Sequence, residues 1–273
     1  MGIDVQGLNC LLYARTFGIF GSTVTMGRQC VHLKQRYLSK TLKREISSNF
    51  AAYCEPLLQE HFGSSKVDSV DMTKYEHATI IQDMNLPISQ LLPHFKTLID
   101  FGTLEHVFNV PQALLNMWAL CEENGQILHV LPANNFCGHG FWQFSPELFL
   151  SMYRRENGFV DTEVFLARTN QPAIWYRVKS PKNGQRINIR TLGEVYVVVR
   201  TIMTKRPTQL YAIQQSDYLD LWAKDEPQPQ KSTIAKKFLS EAGLKEIWQS
   251  VYWRMTGLHP SLEAVKIGSL INF

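Results

Sequence analysis

The sequence lacks the patterns that mark disulfide-rich, zinc-binding or membrane-spanning proteins. Its five cysteines are odd in number and widely spaced, with no Cys-x-x-Cys pair, which argues against a disulfide framework and a zinc site. Reduced thiols are therefore expected. No apolar run of 18 residues is present, so no transmembrane helix is expected. The first ten residues also lack the basic and apolar segments of a secretory signal, and we predict a cytoplasmic protein.

Strong charge and several catalytic motifs are missing as well. The net charge is only +4 and the basic residues are dispersed, so neither a nucleic acid nor a membrane is predicted as a partner. No His-Glu-x-x-His motif or Ser-His-Asp spacing is present, which weakens hydrolase and zinc-enzyme hypotheses. No Gly-x-Gly-x-x-Gly follows the first predicted strand, which argues against a dinucleotide-binding oxidoreductase.

What the sequence does contain is an alternation of strand-like and helix-like segments. Apolar and β-branched runs predict strands at residues 23–25, 66–72, 77–85, 95–101 and 126–131. Helices are predicted at residues 31–62 in two pieces ending at Gly63, at 110–123, and from Ser145 to about residue 156. This alternation predicts an α/β fold with a doubly wound, parallel sheet.

The second half of the chain has a different pattern. Residues 162–169 and 173–178 predict an antiparallel pair at the sheet edge, and residues 195–203 predict a strand or the start of a helix. Residues 225–230 form a linker, followed by helical segments at 233–239 and 244–256. We therefore divide the chain into a lead-in helix on the domain edge (1–20), an α/β domain (21–205) and a linker with a C-terminal helical extension (206–273).

Three of the predicted strands end in or next to an aspartate: Asp71, Asp83 and Asp100. In open α/β sheets, ligands bind outside the carboxyl ends of the strands. A carboxylate there can accept hydrogen bonds from a ribose diol or an adenine amino group. The alternative is that each aspartate serves a turn or a helix cap, which this residue does well.

The order of these features resembles that of class I S-adenosylmethionine-dependent methyltransferases of the small-molecule type. The resemblance covers about residues 20 to 165 and includes the Gly27 loop, VDSVD, IIQDMNLPI, LIDFGTLEHV and NGQILHVLP. Its strongest part is Leu104-Glu105-His106 after the fourth strand. It implies a Rossmann-like, mostly parallel seven-stranded sheet with an antiparallel edge hairpin. It also implies S-adenosylmethionine as cofactor, with S-adenosylhomocysteine as product.

The resemblance further implies roles for individual residues. Asp71, followed by Met72, would bind the ribose hydroxyls, and Asp83 with the backbone of Met84 would face the adenine. The methionine moiety would lie over Asp100, Phe101 and Gly102. Glu105 and His106 would line the site from the loop after the fourth strand.

The first loop departs from the family pattern, which is rich in glycine because the backbone must approach the cofactor closely. Here only Gly27 is present, followed by the bulky Arg28. Three alternatives stay open: Arg28 pairs with the carboxylate of the cofactor, Arg28 forms a surface ion pair, or the site no longer binds the cofactor.

The acceptor side is predicted in the stretch from Asn134 to Ser145. His139 lies between two glycines, and a neutral histidine is the usual general base near neutral pH. Its alternative role is a structural hydrogen bond. Asn135, Trp142 and Gln143 are candidates for binding the acceptor, whereas plain core packing is the alternative for the aromatic residues. The spacing does not demand a metal ligand set from His139, Asp100 and Glu105, and no metal is predicted.

Two functions from different classes follow. The first is methyl transfer to an oxygen or nitrogen of a small-molecule or sugar acceptor, with His139 as base and Glu105 or His106 as substitutes. The second is a methyltransferase-like fold without catalysis that acts as a binding or scaffold protein, a hypothesis that the altered first loop favours. A homodimer contact through the C-terminal extension stays open.

Overall fold

The computed structural model describes residues 2–46, 52–88, 94–180, 193–207, 213–222 and 262–271. Its strands are β1 (Gly2–Ile3), β2 (Gly21–Met26), β3 (Cys30–Val31), β4 (Ser64–Asp71), β5 (Ile80–Ile81), β6 (Phe95–Phe101), β7 (Cys121–Asn134), β8 (Phe159–Arg168), β9 (Ile174–Val178), β10 (Val195–Met203) and β11 (Glu263–Lys266). Its helices are α1 (Val5–Arg15), α2 (Gln35–Leu42), α3 (Glu55–Phe62), α4 (Val110–Leu120), α5 (Pro146–Met152), α6 (Ser216–Trp222) and α7 (Ile267–Leu270). None of these helices is long and apolar enough to cross a membrane.

In the described part of the chain, nine strands form one sheet in the order β11-β9-β8-β10-β7-β6-β2-β4-β5. Strands β5, β4, β2, β6 and β7 are parallel to their neighbours, and β10 runs antiparallel between β7 and β8. The chain starts in the middle at β2, adds β4 and β5 on one side, and then crosses back to add β6 and β7 on the other. The predicted α/β fold with a doubly wound, mostly parallel sheet is therefore confirmed, with a topological switch point between β2 and β6.

The strand count differs from the seven implied by the resemblance. The seven strands from β5 to β8 are present, and β9 and β11 extend the sheet by two strands beyond β8. The predicted antiparallel pair is β8 and β9, but β11 covers its outer side. The run 195–203, left open between strand and helix, is β10, which is buried on both faces and so has no polar alternation.

Local signals predicted several boundaries correctly. Strand β6 occupies the predicted residues, and Gly63 ends α3 in the left-handed conformation with φ 72°. Ser145 caps α5, because its side chain accepts a hydrogen bond from the backbone N–H of Glu147.

Other predicted boundaries are wrong. Val31 belongs to β3, which pairs with β1, rather than to a helix. Helix α4 ends at Leu120, and residues 121–125 are the first part of β7. The predicted strand 77–85 is reduced to β5, and α5 ends at Met152 and is followed by a short 3₁₀ turn. The predicted linker 225–230 and the helices 233–239 and 244–256 lie outside the described residues.

The first helix is not on the edge of the domain, as its sequence had suggested. Nine of the eleven residues of α1 are buried. Gln6 donates a hydrogen bond to the carbonyl of Arg168 on β8 and accepts one from the indole of Trp175 on β9. Because the apolar side chains of α1 belong to one of the two hydrophobic clusters of the fold, this helix forms part of the core.

A buried asparagine on α4 holds the loop that follows β5. The Nδ2 of Asn116 donates to the carbonyls of Met84 (3.2 Å) and Leu86 (2.8 Å), and its Oδ1 accepts from the backbone N–H of Ile88 (3.2 Å) and from Gln112. The side chain is only 2% exposed. The side chain of Asn116 therefore pairs with backbone groups of this loop that have no partner in a helix or strand.

We predict that Asn116→Ala lowers the free energy of unfolding by about 1–3 kcal/mol, because it leaves buried backbone groups without partners. Urea unfolding would measure the change. Gln59→Ala, which removes an exposed amide from α3, is the matched control and should stay within about 0.5 kcal/mol of the unmodified protein. Equal losses in both variants would show that Asn116 does not hold this loop.

Candidate active site

The carboxyl ends of three adjacent strands meet at the switch point. Met26 of β2 pairs with Val70 of β4, and Thr25 of β2 pairs with Ile99 of β6. The next positions along this register place Asp71, Gly27 and Phe101 side by side. Adjacent strands are about 4.8 Å apart, so these three positions span roughly 10 Å of the sheet edge.

A cavity of about 530 Å³ opens beside these strand ends, over β6 and β7. Five of the predicted site residues line it: Phe101, Gly102, Glu105, Asn135 and His139. The rest of the lining comes from the N-terminal segment, the loop after β3, strand β7 and the loop after it, and the residues at the start of β10: Gly2, Asp4, His32, Val130, Pro132, Phe136, Cys137, Gly138, Glu194 and Tyr196. None of the described lining residues is Lys or Arg.

Glu105, His106 and His139 form one cluster at the wall of this cavity. The Nε2 of His139 lies 3.5 Å from the Oε1 of Glu105, and the rings of His106 and His139 meet edge to face with centroids 4.8 Å apart. The structure therefore brings together the three residues that the sequence predicted as candidate catalytic groups.

Burial changes the acid–base properties of this cluster. Glu105 is only 1% exposed. Burial, reinforced by the nearby charge of Asp100, raises the pKa of Glu105 to about 8. Burial and the neighbouring His139 both lower the pKa of His106. With a pKa of about 8, the protonated form of Glu105 predominates at neutral pH.

Backbone contacts hold the loop after β7 against the turn that carries Glu105. The backbone N–H groups of Phe141 (2.6 Å) and Trp142 (3.3 Å) donate to the carbonyl of Glu105. Gly140 makes this approach feasible: a Cβ there would lie 2.7 Å from the same carbonyl oxygen, and its φ is 71°.

Trp142 and Gln143, predicted to bind the acceptor, do not line the cavity. The indole of Trp142 donates to the carbonyl of Val107 and lies beside the exposed ring of Phe108. The Oε1 of Gln143 accepts from the backbone N–H of Phe136. Both side chains stabilise the loop, whereas Asn135, which donates to the carbonyl of Gly193, lines the cavity.

Asp100 lies inside the fold beneath the site and is fully buried. Its Oδ1 accepts from the backbone N–H of Thr103 at 3.1 Å, and its Oδ2 lies 2.9 Å from the Nδ1 of His129. The Nε2 of His129 in turn lies 2.7 Å from the hydroxyl of Tyr153. Asp100, His129 and Tyr153 therefore form a hydrogen-bonded chain inside the fold.

The first loop is occupied by contacts within the protein. Arg28 pairs with Glu55 at 2.6 Å, donates to the carbonyl of Glu76 and lies over the ring of Tyr53 at 3.9 Å. Gly27 adopts φ 63° and donates to the carbonyl of Val70. Of the alternatives for Arg28, these contacts correspond to the ion pair.

The remaining predicted cofactor residues lie at the ends of β4 and β5, outside the lining of the cavity. Asp71 is partly exposed, and its Oδ1 accepts a long hydrogen bond from the backbone N–H of Thr73 (3.4 Å). Met72 is 64% exposed. The Oδ1 of Asp83 accepts from both the backbone and the side chain of Asn85, which is a turn contact. Met84 is buried, and its carbonyl accepts from Asn116.

Several cavity residues carried no usable signal in the sequence. Asp4, His32 and Glu194 reach the cavity through long-range packing, because β1 pairs with β3 and β10 inserts next to β7. Tyr196 was a polar member of a β-branched run, and its ring stacks on Phe136 with centroids 5.0 Å apart. Only the antiparallel position of β10 brings it to this edge of the sheet.

The sequence matches no known family model and no curated protein. Among solved structures, TehB from Haemophilus influenzae is similar over 72% of this chain and 62% of its own, with 13% identity and a TM-score of 0.38. The match therefore spans less than two thirds of that protein.

Two methyltransferases are similar at the same level. The N-methyltransferase NodS from Bradyrhizobium japonicum, solved with S-adenosylhomocysteine, matches over 72% of this chain and 85% of its own, with 11% identity and a TM-score of 0.39. The 1,6-didemethyltoxoflavin N1-methyltransferase from Burkholderia thailandensis matches over 74% and 79%, with 13% identity and a TM-score of 0.41. At these values the neighbours assign no activity to this chain.

We predict that Tyr153→Phe lowers the free energy of unfolding by about 1–3 kcal/mol, because the Nε2 of the buried His129 loses its partner. Urea unfolding would measure this loss. Tyr37→Phe, on the exposed side of α2, is the control and should change stability by less than about 0.5 kcal/mol. If Tyr153→Phe matches that control, the hydroxyl does not stabilise the buried chain.

Proposed function

We propose that this protein transfers the methyl group of S-adenosylmethionine to an oxygen or nitrogen of a small-molecule or sugar acceptor. The supporting observation is the position of the cavity. It opens at the carboxyl ends of β6 and β7, beside the switch point, with Gly102 and Glu105 facing Asn135 and His139. This is where open α/β sheets bind their ligands.

The cofactor in this proposal lies along the ends of β4, β2 and β6. Asp71 offers a partly exposed carboxylate to the ribose diol. Gly27 and Gly102, with φ 63° and 89°, present backbone without a Cβ atom at the next two strand ends. Asp83 and Met84 remain the proposed adenine side, although both already have partners within the protein.

The charge of the cavity narrows the class of acceptor. The carboxylates of Asp4 and Glu194 line it beside the protonated Glu105, and none of the described lining residues is Lys or Arg. Such a surface disfavours an anionic acceptor and favours a neutral or cationic one, such as a sugar hydroxyl or an amine. The same carboxylates favour the positive sulfonium group of the cofactor.

The proposed reaction is a single in-line displacement. The acceptor oxygen or nitrogen forms a bond to the methyl carbon while the sulfur–methyl bond breaks, giving S-adenosylhomocysteine. The acceptor's proton passes to the imidazole of His139, since Glu105 already carries a proton at neutral pH. Orientation of the two substrates supplies most of the rate.

The alternative, a binding or scaffold protein without catalysis, is favoured by the contacts of the first loop. The contacts of Arg28 with Glu55, Glu76 and Tyr53 leave it no role as a partner for the carboxylate of the cofactor. In addition, the carbonyl of Met26 already accepts from Gln29 and Thr103, so the loop is closed by side chains of the protein.

We also propose that the protein is located in the cytoplasm, because all five cysteines are unpaired thiols. A homodimer remains a prediction, as does the absence of nucleic acid and membrane partners.

We predict that S-adenosylhomocysteine binds to the protein in isothermal titration, and that Asp71→Ala weakens this binding about tenfold or more by removing a charge-assisted hydrogen bond. Glu123→Ala is the control: it removes an exposed carboxylate near the start of β7, at the end of the strand away from the cavity, and should leave the affinity unchanged. No binding of S-adenosylmethionine or S-adenosylhomocysteine at millimolar concentration would refute the enzyme and leave the scaffold alternative.

We predict that His139→Ala lowers turnover on the order of a hundredfold while leaving the affinity for S-adenosylhomocysteine unchanged. Transfer of labelled methyl from S-adenosylmethionine to a panel of monosaccharides, amino sugars and primary amines would measure turnover. His94→Ala, an exposed histidine just before β6, is the matched control. Normal turnover in the His139 variant would remove this residue from the role of base.

A further inference from the structure

We propose that Glu105, His106 and His139 form a binding site for a divalent transition-metal ion at the wall of the cavity. Each residue offers one ligand atom, and these atoms all lie within 4.8 Å of one another. Two imidazoles and one carboxylate on adjacent loops are a donor set that suits zinc, iron or cobalt better than magnesium or calcium, which prefer oxygen ligands.

The buried carboxylate supplies independent support. Glu105 is 1% exposed, and its Oε2 has no hydrogen-bond partner among the residues that the structure describes. A buried polar atom without a partner costs about 1–3 kcal/mol, so native structures rarely leave one. A metal ion bound between this carboxylate and the two imidazoles would satisfy it.

The two segments that carry the ligands are already fixed. The backbone N–H of Thr103 binds Asp100, and the N–H of His106 donates to the carbonyl of Thr103 at 2.9 Å. The backbone contacts at Gly140, described above, hold the His139 loop against the same turn. The site therefore needs only side-chain adjustment to bring its ligand atoms to the distances of about 2.0–2.2 Å that zinc requires.

Three protein ligands leave at least one coordination position open. Glu105 and His139 both line the cavity, so the free position faces it. Metal sites of this composition are catalytic more often than structural, because structural zinc sites use four protein ligands.

The role of the ion rests on the proposed function. An acceptor hydroxyl bound at the open position would have a lowered pKa and would lose its proton to solvent before its oxygen attacks the methyl carbon. His139 would then hold the ion instead of accepting the proton. The binding site itself does not depend on methyl transfer.

The test is titration of the metal-free protein with Zn²⁺ by calorimetry and with Co²⁺ by visible absorption, both without any nucleoside. One equivalent should bind. Glu105→Gln, His106→Ala and His139→Ala should each lower the affinity by about a hundredfold, whereas His94→Ala leaves it unchanged. Because His106 is exposed, its replacement by alanine should not prevent folding. This variant therefore tests the site even if the change at the buried Glu105 prevents folding.

The exposed thiol of Cys137 also lines the cavity, so it is an alternative metal ligand that the test must distinguish from the proposed three. If Cys137→Ser abolishes binding, or the Co²⁺ complex shows thiolate charge-transfer absorption, the assigned ligand set is wrong. The proposal is also overturned if the protein binds neither ion, or if the three ligand variants bind as tightly as the unmodified protein. Because no nucleoside is present, a failure of methyl transfer cannot produce any of these results.

Discussion

The part of the fold that forms the candidate site depends on the buried carboxylate of Asp100. It accepts hydrogen bonds from the backbone of Thr103 and Leu104 and from the ring of His129, so it joins β6, the turn after it and β7. A buried carboxylate without such partners would cost several kcal/mol. The same charge adds to the larger effect of burial in raising the pKa of Glu105, so one side chain both shapes the turn and alters the acidity of its neighbour.

Elements that depend on local sequence signals were predicted better than elements that depend on long-range packing. Strand β6, the Gly63 stop and the Ser145 cap depend on neighbouring residues, and the structure confirms all three. The burial of α1, the pairing of β1 with β3 and the addition of β11 depend on contacts between residues far apart in the chain. No periodicity within a short window contains that information, which is why α1 was predicted at the edge.

The same distinction applies to the candidate site. Glu105 and His106 were found through the Leu104-Glu105-His106 motif of the family resemblance, and His139 because glycines flank it. The structure brings these three together. In contrast, the residues at the ends of β4 and β5 remain apart from the cavity, and Asp4 and Glu194 emerged only from the packing. The acidic character of the cavity was therefore invisible in a sequence whose net charge is positive.

The N-terminal segment has a practical consequence for work with this protein. Gly2 and Asp4 line the cavity, and Gly2 packs so tightly that a Cβ there would lie 2.5 Å from the carbonyl of Cys30. A purification tag fused ahead of Gly2 would thus emerge at the mouth of the candidate site. A polyhistidine tag in that position would also supply imidazoles beside Glu105 and His139, so ligand-binding and metal-binding experiments call for a tag that is removed.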